Sequence, residues 1–265
     1  MARTRGTLNT WTTWLAGAAL VAVLALTGYV MLSGEESASD TPAKGGPSAG
    51  SSAASSPAST YAPPDEWTEP ERWVALPRGQ RTDEHGSEVG FPHTTEGAVA
   101  MIAASNETAM EGDKSAVDEQ LRIYHSYLSK KDQSPQTAQQ VELKAMQTDK
   151  DLARQTGVKP GQPLPPGAYV RSNVVGYQVI QQSADEVSVW VLTDVAQKTG
   201  ETAKESGGYA RLLAGARWEG GDWKLSGAAT QRARQATRGE SKPGMVAPGD
   251  GGFNREGWTA IREAS

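Results

Sequence analysis

The chain has 265 residues, with 29 Gly, 15 Pro, 22% charged and 37% hydrophobic side chains and a formal net charge of -5. That length holds one folded domain of about 100–200 residues plus extensions. The chain has no cysteine, which excludes disulfides, thiolate metal sites, a cysteine nucleophile and a lipid anchor on cysteine. The acidic balance argues against nucleic acid as a partner, because that footprint is basic.

Residues 1–13 form a short segment carrying Arg3 and Arg5, too short to fold into an inner effector domain. Residues 14–32 (WLAGAALVAVLALTGYVML) carry no charge and match the roughly 20 residues a helix needs to cross a ~30 Å hydrocarbon core. Glu35 and Glu36 follow it. The charge asymmetry predicts a single-pass protein of the cell membrane, N-terminus cytoplasmic and C-terminal domain extracellular. A cleaved secretory signal is the competing reading. Such signals have apolar cores of about 7–15 residues, and either reading places the domain outside.

Residues 33–64 are almost entirely Ser, Ala, Gly and Pro, a composition that buries too little apolar area to offset ordering entropy. We expect a flexible tether. Its Gly46-Pro47-Ser48-Ala49-Gly50 matches the nucleophile-elbow pattern in letters only, since that motif needs a strand before it and a helix after it.

The extracytoplasmic domain is expected over residues 65–231. Trp67, Trp73, Val74 and Leu76 suggest an extended segment packed on it. Thr94 or Thr95 caps a first helix, with Glu96 in its first turn and Ala98, Val99, Ile102 and Ala103 as its apolar face. A second helix is predicted over 113–128, on Val117, Leu121, Tyr124 and Leu128. A third starts at Ser134-Pro135 and stops at Gly157. The period then changes to two, predicting strands over 169–182, 186–197, 208–218 and 223–230. Residues 183–185 and 219–222 are the hairpin turns. The fold class is therefore α+β, three helices packed on a curved four-stranded antiparallel sheet. At least two of Trp190, Trp218 and Trp223 are expected in its core. Residues 232–265 return to loop composition and read as a flexible C-terminal tail, or, on the strength of Phe253, Trp258 and Ile261, as a segment that docks.

The three histidines, His85, His93 and His125, do not stand at ligand spacing, so no metal site is expected. His85 is expected in solvent and His93 as a packing or capping neighbour. Asp149 and Asp151, two apart on a helix, point to different faces, and solvation is the expected state of both. Asp194 alternates onto the face of Trp190 and Leu192, either lining a concave pocket or exposed at a strand end, with exposure favoured. Asp194 and Tyr177 are the acid-base candidates an enzyme of this fold would need. Asn106-Glu107-Thr108 fits a glycosylation sequon but reads physically as a polar helix end. Arg232, Arg234 and Arg238 form one basic cluster, either in contact with lipid headgroups or solvated at a strand end. No phosphate-cradling glycine loop is present, and no cofactor is expected.

The hairpin Ala216-Arg217-Trp218-Glu219-Gly220-Gly221-Asp222-Trp223-Lys224-Leu225 resembles the last hairpin of nuclear-transport-factor-like (cystatin-like) domains. Residues 73–77 and 90–98 are similar to segments of single-pass membrane proteins of high-GC Gram-positive bacteria. The layout of anchor, tether and outer domain resembles the TcpC-like assembly factors of type IV secretion and conjugation machines. That resemblance implies a scaffold without catalytic, cofactor-binding or metal-binding residues. Its implied contacts are the membrane through residues 14–32, protein partners of a transfer complex and further copies of itself. Those relatives often carry two such domains, where this chain has one.

Overall fold

A computed structural model describes residues 67–262; the expected membrane span and tether lie outside them. Among the described residues no helix is long and apolar enough to cross a membrane.

The first element of the described residues is β1 (Trp73–Ala75), followed by a small separate hairpin of β2 (Arg81–Thr82) and β3 (Glu88–Val89). Helix α1 (Thr95–Asn106) starts where Thr94 accepts a hydrogen bond from the Gly97 N–H, and β4 (Thr108–Glu111) follows it. Helix α2 (Ala116–Tyr127) opens with a reciprocal cap between Ser115 and Asp118. Helix α3 (Pro135–Thr156) has Ser134 as cap and ends on Gly157 at φ 76°, a left-handed closure that glycine adopts without strain. These two helices lie close to their predicted limits because caps are local chemistry.

Four antiparallel strands come next: β5 (Ala168–Gln182), β6 (Glu186–Thr199), β7 (Ser206–Glu219) and β8 (Asp222–Leu225). Gly220 and Gly221, both at positive φ, close the two-residue turn between β7 and β8, where few other residues fit. The predicted strand over 223–230 stops at Leu225. Ser226 then caps a helix, α4 (Gly227–Ala236), which the alternation did not reveal.

The sheet is larger than expected: seven strands in a mixed, mostly antiparallel arrangement. Beyond the four expected, β4 pairs with the first part of β5, and the last strand, β9 (Thr259–Arg262), pairs with β5 at Gly176 and Tyr177. Strand β1 runs parallel to β9, Trp73 beside Ala260. The segment expected as a tail therefore contributes the second half of α4, a short helix α5 (Gly251–Arg255) and a strand inside the sheet. Phe253 and Trp258 are buried to 0% and 1% exposure, so the docking alternative is the one realised.

Alternation along β6 sorts the core onto two faces. Val187, Val189 and Val191 join Leu212, Ala214, Ala216 and Trp223 beneath Ala98, Val99, Met101 and Ile102 of α1 and Ile123 and Tyr127 of α2. Val195 and Val170 join Met110, Ala116, Ala145 and Leu152 in a smaller cluster toward α3. On the opposite face Leu192 packs with Phe253, Trp258 and Ala260. Helix α4 covers the rest of that face, where the absent side chain of Gly215 lets Ala229 and Thr230 approach. Helices thus cover both faces of the sheet. Each large side chain so buried contributes about 1.5–3 kcal/mol. Of the three tryptophans expected inside, Trp223 is fully buried, while Trp190 and Trp218 are half-buried.

Candidate functional site

The start of α1, the β5–β6 turn and the β7–β8 hairpin meet at one end of the sheet. There the His93 ring lies flat on Trp218, centroids 3.9 Å apart and planes 10° from parallel. Trp223 meets both rings edge-on and donates its indole N–H to the Pro92 carbonyl at 2.8 Å. Asp185, in the β5–β6 turn, holds His93 Nε2 at 3.0 Å. Beneath them the buried Asp222 carboxylate accepts from the Phe91 N–H at 3.0 Å and from the Lys224 ammonium at 3.0 Å. His93 is therefore a packing neighbour, as expected. Asp185 orients its ring, a contact between distant turns that no motif announced.

A second polar cluster joins the β2–β3 loop to α2. Asp83 accepts from the N–H groups of His85 and Ser87, at 3.0 and 2.9 Å, which folds the loop. His85 is exposed, as expected, and its ring stacks on that of the exposed His125, centroids 4.8 Å apart. Arg122 forks onto Glu119 and donates to Ser87 Oγ at 3.0 Å and to the Glu107 carbonyl at 3.0 Å. That side chain ties the loop, the end of α1 and α2 together. The Glu119–Arg122 spacing of three was its one signal in the sequence.

Asp149 is not solvated. Its carboxylate accepts from the Ala116 and Val117 N–H groups at 2.7 and 3.3 Å and so caps α2 from the side of α3. Half-burial raises its pKa above the ordinary aspartate value, the two N–H bonds oppose this, and Asp118 adds to the rise. Asp151 pairs with Arg154 at 2.5 Å on the surface.

Asp194 lies mid-strand, neither exposed at an end nor on the face packed against α1–α3. It stands opposite Tyr209 on the face covered by the C-terminal segment. Burial, then the charge of Glu205, raises its pKa. Tyr177 packs on the other face with the α1–α2 core, and burial followed by Glu96 raises its pKa. The two acid-base candidates are separated by the sheet and cannot act on one substrate atom.

Arg232 forks onto Glu186, so part of the expected basic cluster is neutralised. Asn106 ends α1 with its amide turned back to the Ile102 carbonyl at 2.8 Å, and Thr108 Oγ1 bonds Ser172 Oγ at 2.8 Å inside the fold. Among the described residues no cluster of three or more metal-ligating side chains forms.

No protein family, curated protein or solved structure matches the chain.

Proposed function

We propose that the chain is a membrane-anchored, non-catalytic assembly component, with residues 14–32 as its anchor and an outer domain that binds protein partners. The system we assign it to is a conjugation or type IV secretion-like transfer machine, and we assign the outer domain to the nuclear-transport-factor-like architecture. The observation that carries the non-catalytic reading is the placement of Asp194 and Tyr177 on opposite faces of the sheet. In keeping with it, His93, Arg122, Asp149 and Asp222 are all engaged in holding elements together. The transfer machine itself rests on the resemblance of the hairpin and of the anchor-tether-domain layout.

The deciding experiment compares two classes of variant in a transfer assay. His93→Ala, His125→Ala and Asp194→Asn should stay within a few-fold of wild type, since removing a catalytic acid or base costs about 10²–10⁴-fold. Deleting residues 1–33 while supplying a secretion signal should abolish transfer, because confinement at the bilayer is lost. Silencing by Asp194→Asn alone, in a protein that is folded and at normal level, overturns the proposal.

A second reading, an anchored small-ligand-binding module, draws on a different observation. Gln120 Oε1, Thr193 Oγ1 and Gln197 Oε1 are buried without a hydrogen-bond partner. Thr193 and Gln197 flank Val195 on the helix-covered face, beside the smaller core cluster. Buried polar atoms of this kind are normally satisfied by water or a ligand. A neutral hydroxylated compound that raises the melting temperature of wild type, but not of Thr193→Val, would favour this reading.

A further inference from the structure

A polar seam separates the two core clusters on the helix-covered face. On α2, Ala116 belongs to the smaller cluster and Ile123 to the larger, and the buried Gln120 stands one turn from each. Strand β6 divides in the same way: Val195 lies in the smaller cluster, Val191 in the larger, and Thr193, 1% exposed, between them. Gln120 Oε1 and Thr193 Oγ1 have no hydrogen-bond partner, and neither has Gln197 Oε1, two positions beyond Val195 on the same face. Ser172, opposite Val195 and diagonal to Thr193, is already bonded to Thr108 and to the Asn106 carbonyl. Toward β7 the seam meets solvent. Gly208 and Ala210 pair with Val195 and Thr193 and share their face, yet both are only half-buried. The helix layer therefore stops short of this part of β7, and its small residues leave a way in.

We propose that this seam is a binding slot for a small neutral compound with an apolar body and a head that donates two hydrogen bonds, a primary amide being the simplest. The slot rests on the ligand-binding reading and names its ligand class; the non-catalytic assignment does not depend on it. The two glutamine oxygens are carbonyl acceptors, whereas the Thr193 hydroxyl can donate or accept. A ligand that satisfies them must bring the donors, and an acceptor left unmatched in a buried site is costly. Neutrality follows from the charges around the seam. The carboxylates of α2 and α3 that turn inward, Glu119 and Asp149, are taken by Arg122 and by the Ala116 and Val117 N–H groups. An ion would find no free counter-charge there, and burying it unpaired is unfavourable. Val191, Val195 and Ile123 flank the polar positions and suit an apolar body, the usual division of labour in a small-molecule site.

The NMR signals of the Gln120 carboxamide and the Thr193 methyl, followed in the full chain in detergent micelles, test the slot at its own residues. Isobutyramide is the probe, and methyl isopropyl ketone is its isostere, with a methyl group in place of the amide nitrogen. Isobutyramide should shift both signals to saturation, and the ketone should bind about tenfold more weakly, since it leaves the acceptors unmatched. Gln120→Met, which removes one acceptor at similar volume, should narrow that preference several-fold. If this variant does not fold, Thr193→Val, nearly identical in shape, should weaken isobutyramide several-fold instead. Equal binding of amide and ketone to the wild type overturns the donor-bearing class and leaves the ligand-binding reading standing. Signals that neither compound moves overturn the slot, the seam then being satisfied by water. A neutral hydroxylated compound that stabilises Thr193→Val as much as wild type would retire the ligand-binding reading at this site.

Discussion

Asp222 reaches from the β7–β8 hairpin to the backbone N–H of Phe91 at 3.0 Å, joining the last turn of the main sheet to the entrance of α1. The same carboxylate accepts from the Trp223 N–H at 2.9 Å and pairs with Lys224 at 3.0 Å, with its side chain only 7% exposed. Leaving a buried charge unpartnered costs about 3–5 kcal/mol. Asp222→Ala should therefore destabilise the domain by up to about that much in urea titration, because it leaves the Phe91 N–H without its acceptor and the Lys224 ammonium with the Ser126 carbonyl but no counter-charge. Asp222→Asn keeps an acceptor and should lose less. Equal losses would mean that the charge, and not the hydrogen bond to Phe91, dominates.

Trp223 is fully buried and Trp218, its cross-strand neighbour, is half-buried beneath His93. Trp223→Ala should cost about 3–5 kcal/mol and Trp218→Ala distinctly less. The comparison of melting curves checks the ranking. An unchanged midpoint for Trp223→Ala would remove this hairpin from the core.

Asp149 supplies a pH prediction. Its folded-state pKa is raised, burial being the largest cause, so the folded state binds the proton more tightly than the unfolded chain does. Its contribution to stability is fully present below the unfolded value of about 3.9. It is lost as pH rises through the higher folded value. Asp149→Asn presents the same acceptor to Ala116 and Val117 without the buried charge. At neutral pH it should equal or exceed wild type in stability, and the difference should shift in favour of wild type as the solution is acidified below the folded value. Asp149→Ala, which orphans the two N–H groups, should be less stable than the Asn variant at every pH. Chemical denaturation from pH 3 to pH 7 tests both; a wild type that outperforms Asp149→Asn at neutral pH contradicts the raised pKa.

The ends of the described domain are fastened to one another. Thr68 donates to the Gly249 carbonyl at 2.8 Å, Asn254 bridges Glu69 and Glu71, and β1 is held in the sheet by β9 alone. Trp67 lies so close to Gly249 that a Cβ there would fall 2.1 Å from the ring, at a φ of 93° that only glycine adopts readily. Trp258→Ala should therefore raise amide exchange in residues 67–76 as well as in β9, since local opening releases both together. Gly249→Ala should do the same while leaving α1–α3 protected. Exchange confined to β9 would show that the first segment is held by other contacts.

Sequence by itself determined what short-range chemistry determines. The threonine pair Thr94-Thr95, the Ser134-Pro135 start of α3 and Gly157 at its end marked helices whose first and last turns must satisfy their own N–H and C=O groups. Alternation over β5, β6 and β7, with the Gly220-Gly221 turn, set the antiparallel core and assigned Val187, Val189 and Val191 to one face and Leu192 to the other. The physical reason is that cap chemistry and side-chain period act within a few residues, wherever the element ends up. Tertiary structure alone decided the rest. Strands of three or four residues, such as β1, β4 and β9, have too little period to show; β4 and β9 exist because the long edge of β5 offers them a partner, and β1 because β9 does. Asp149 reads as a solvated helix residue until α2 is set against α3, when the Ala116 and Val117 N–H groups need an acceptor. Asp194 and Tyr177 look like companions in a cavity until the register places a sheet between them. The segment after residue 232 has loop composition, yet it folds because the apolar second face of the sheet, with Leu192 and Trp190 on it, must be covered, and Phe253 and Trp258 are the side chains that cover it.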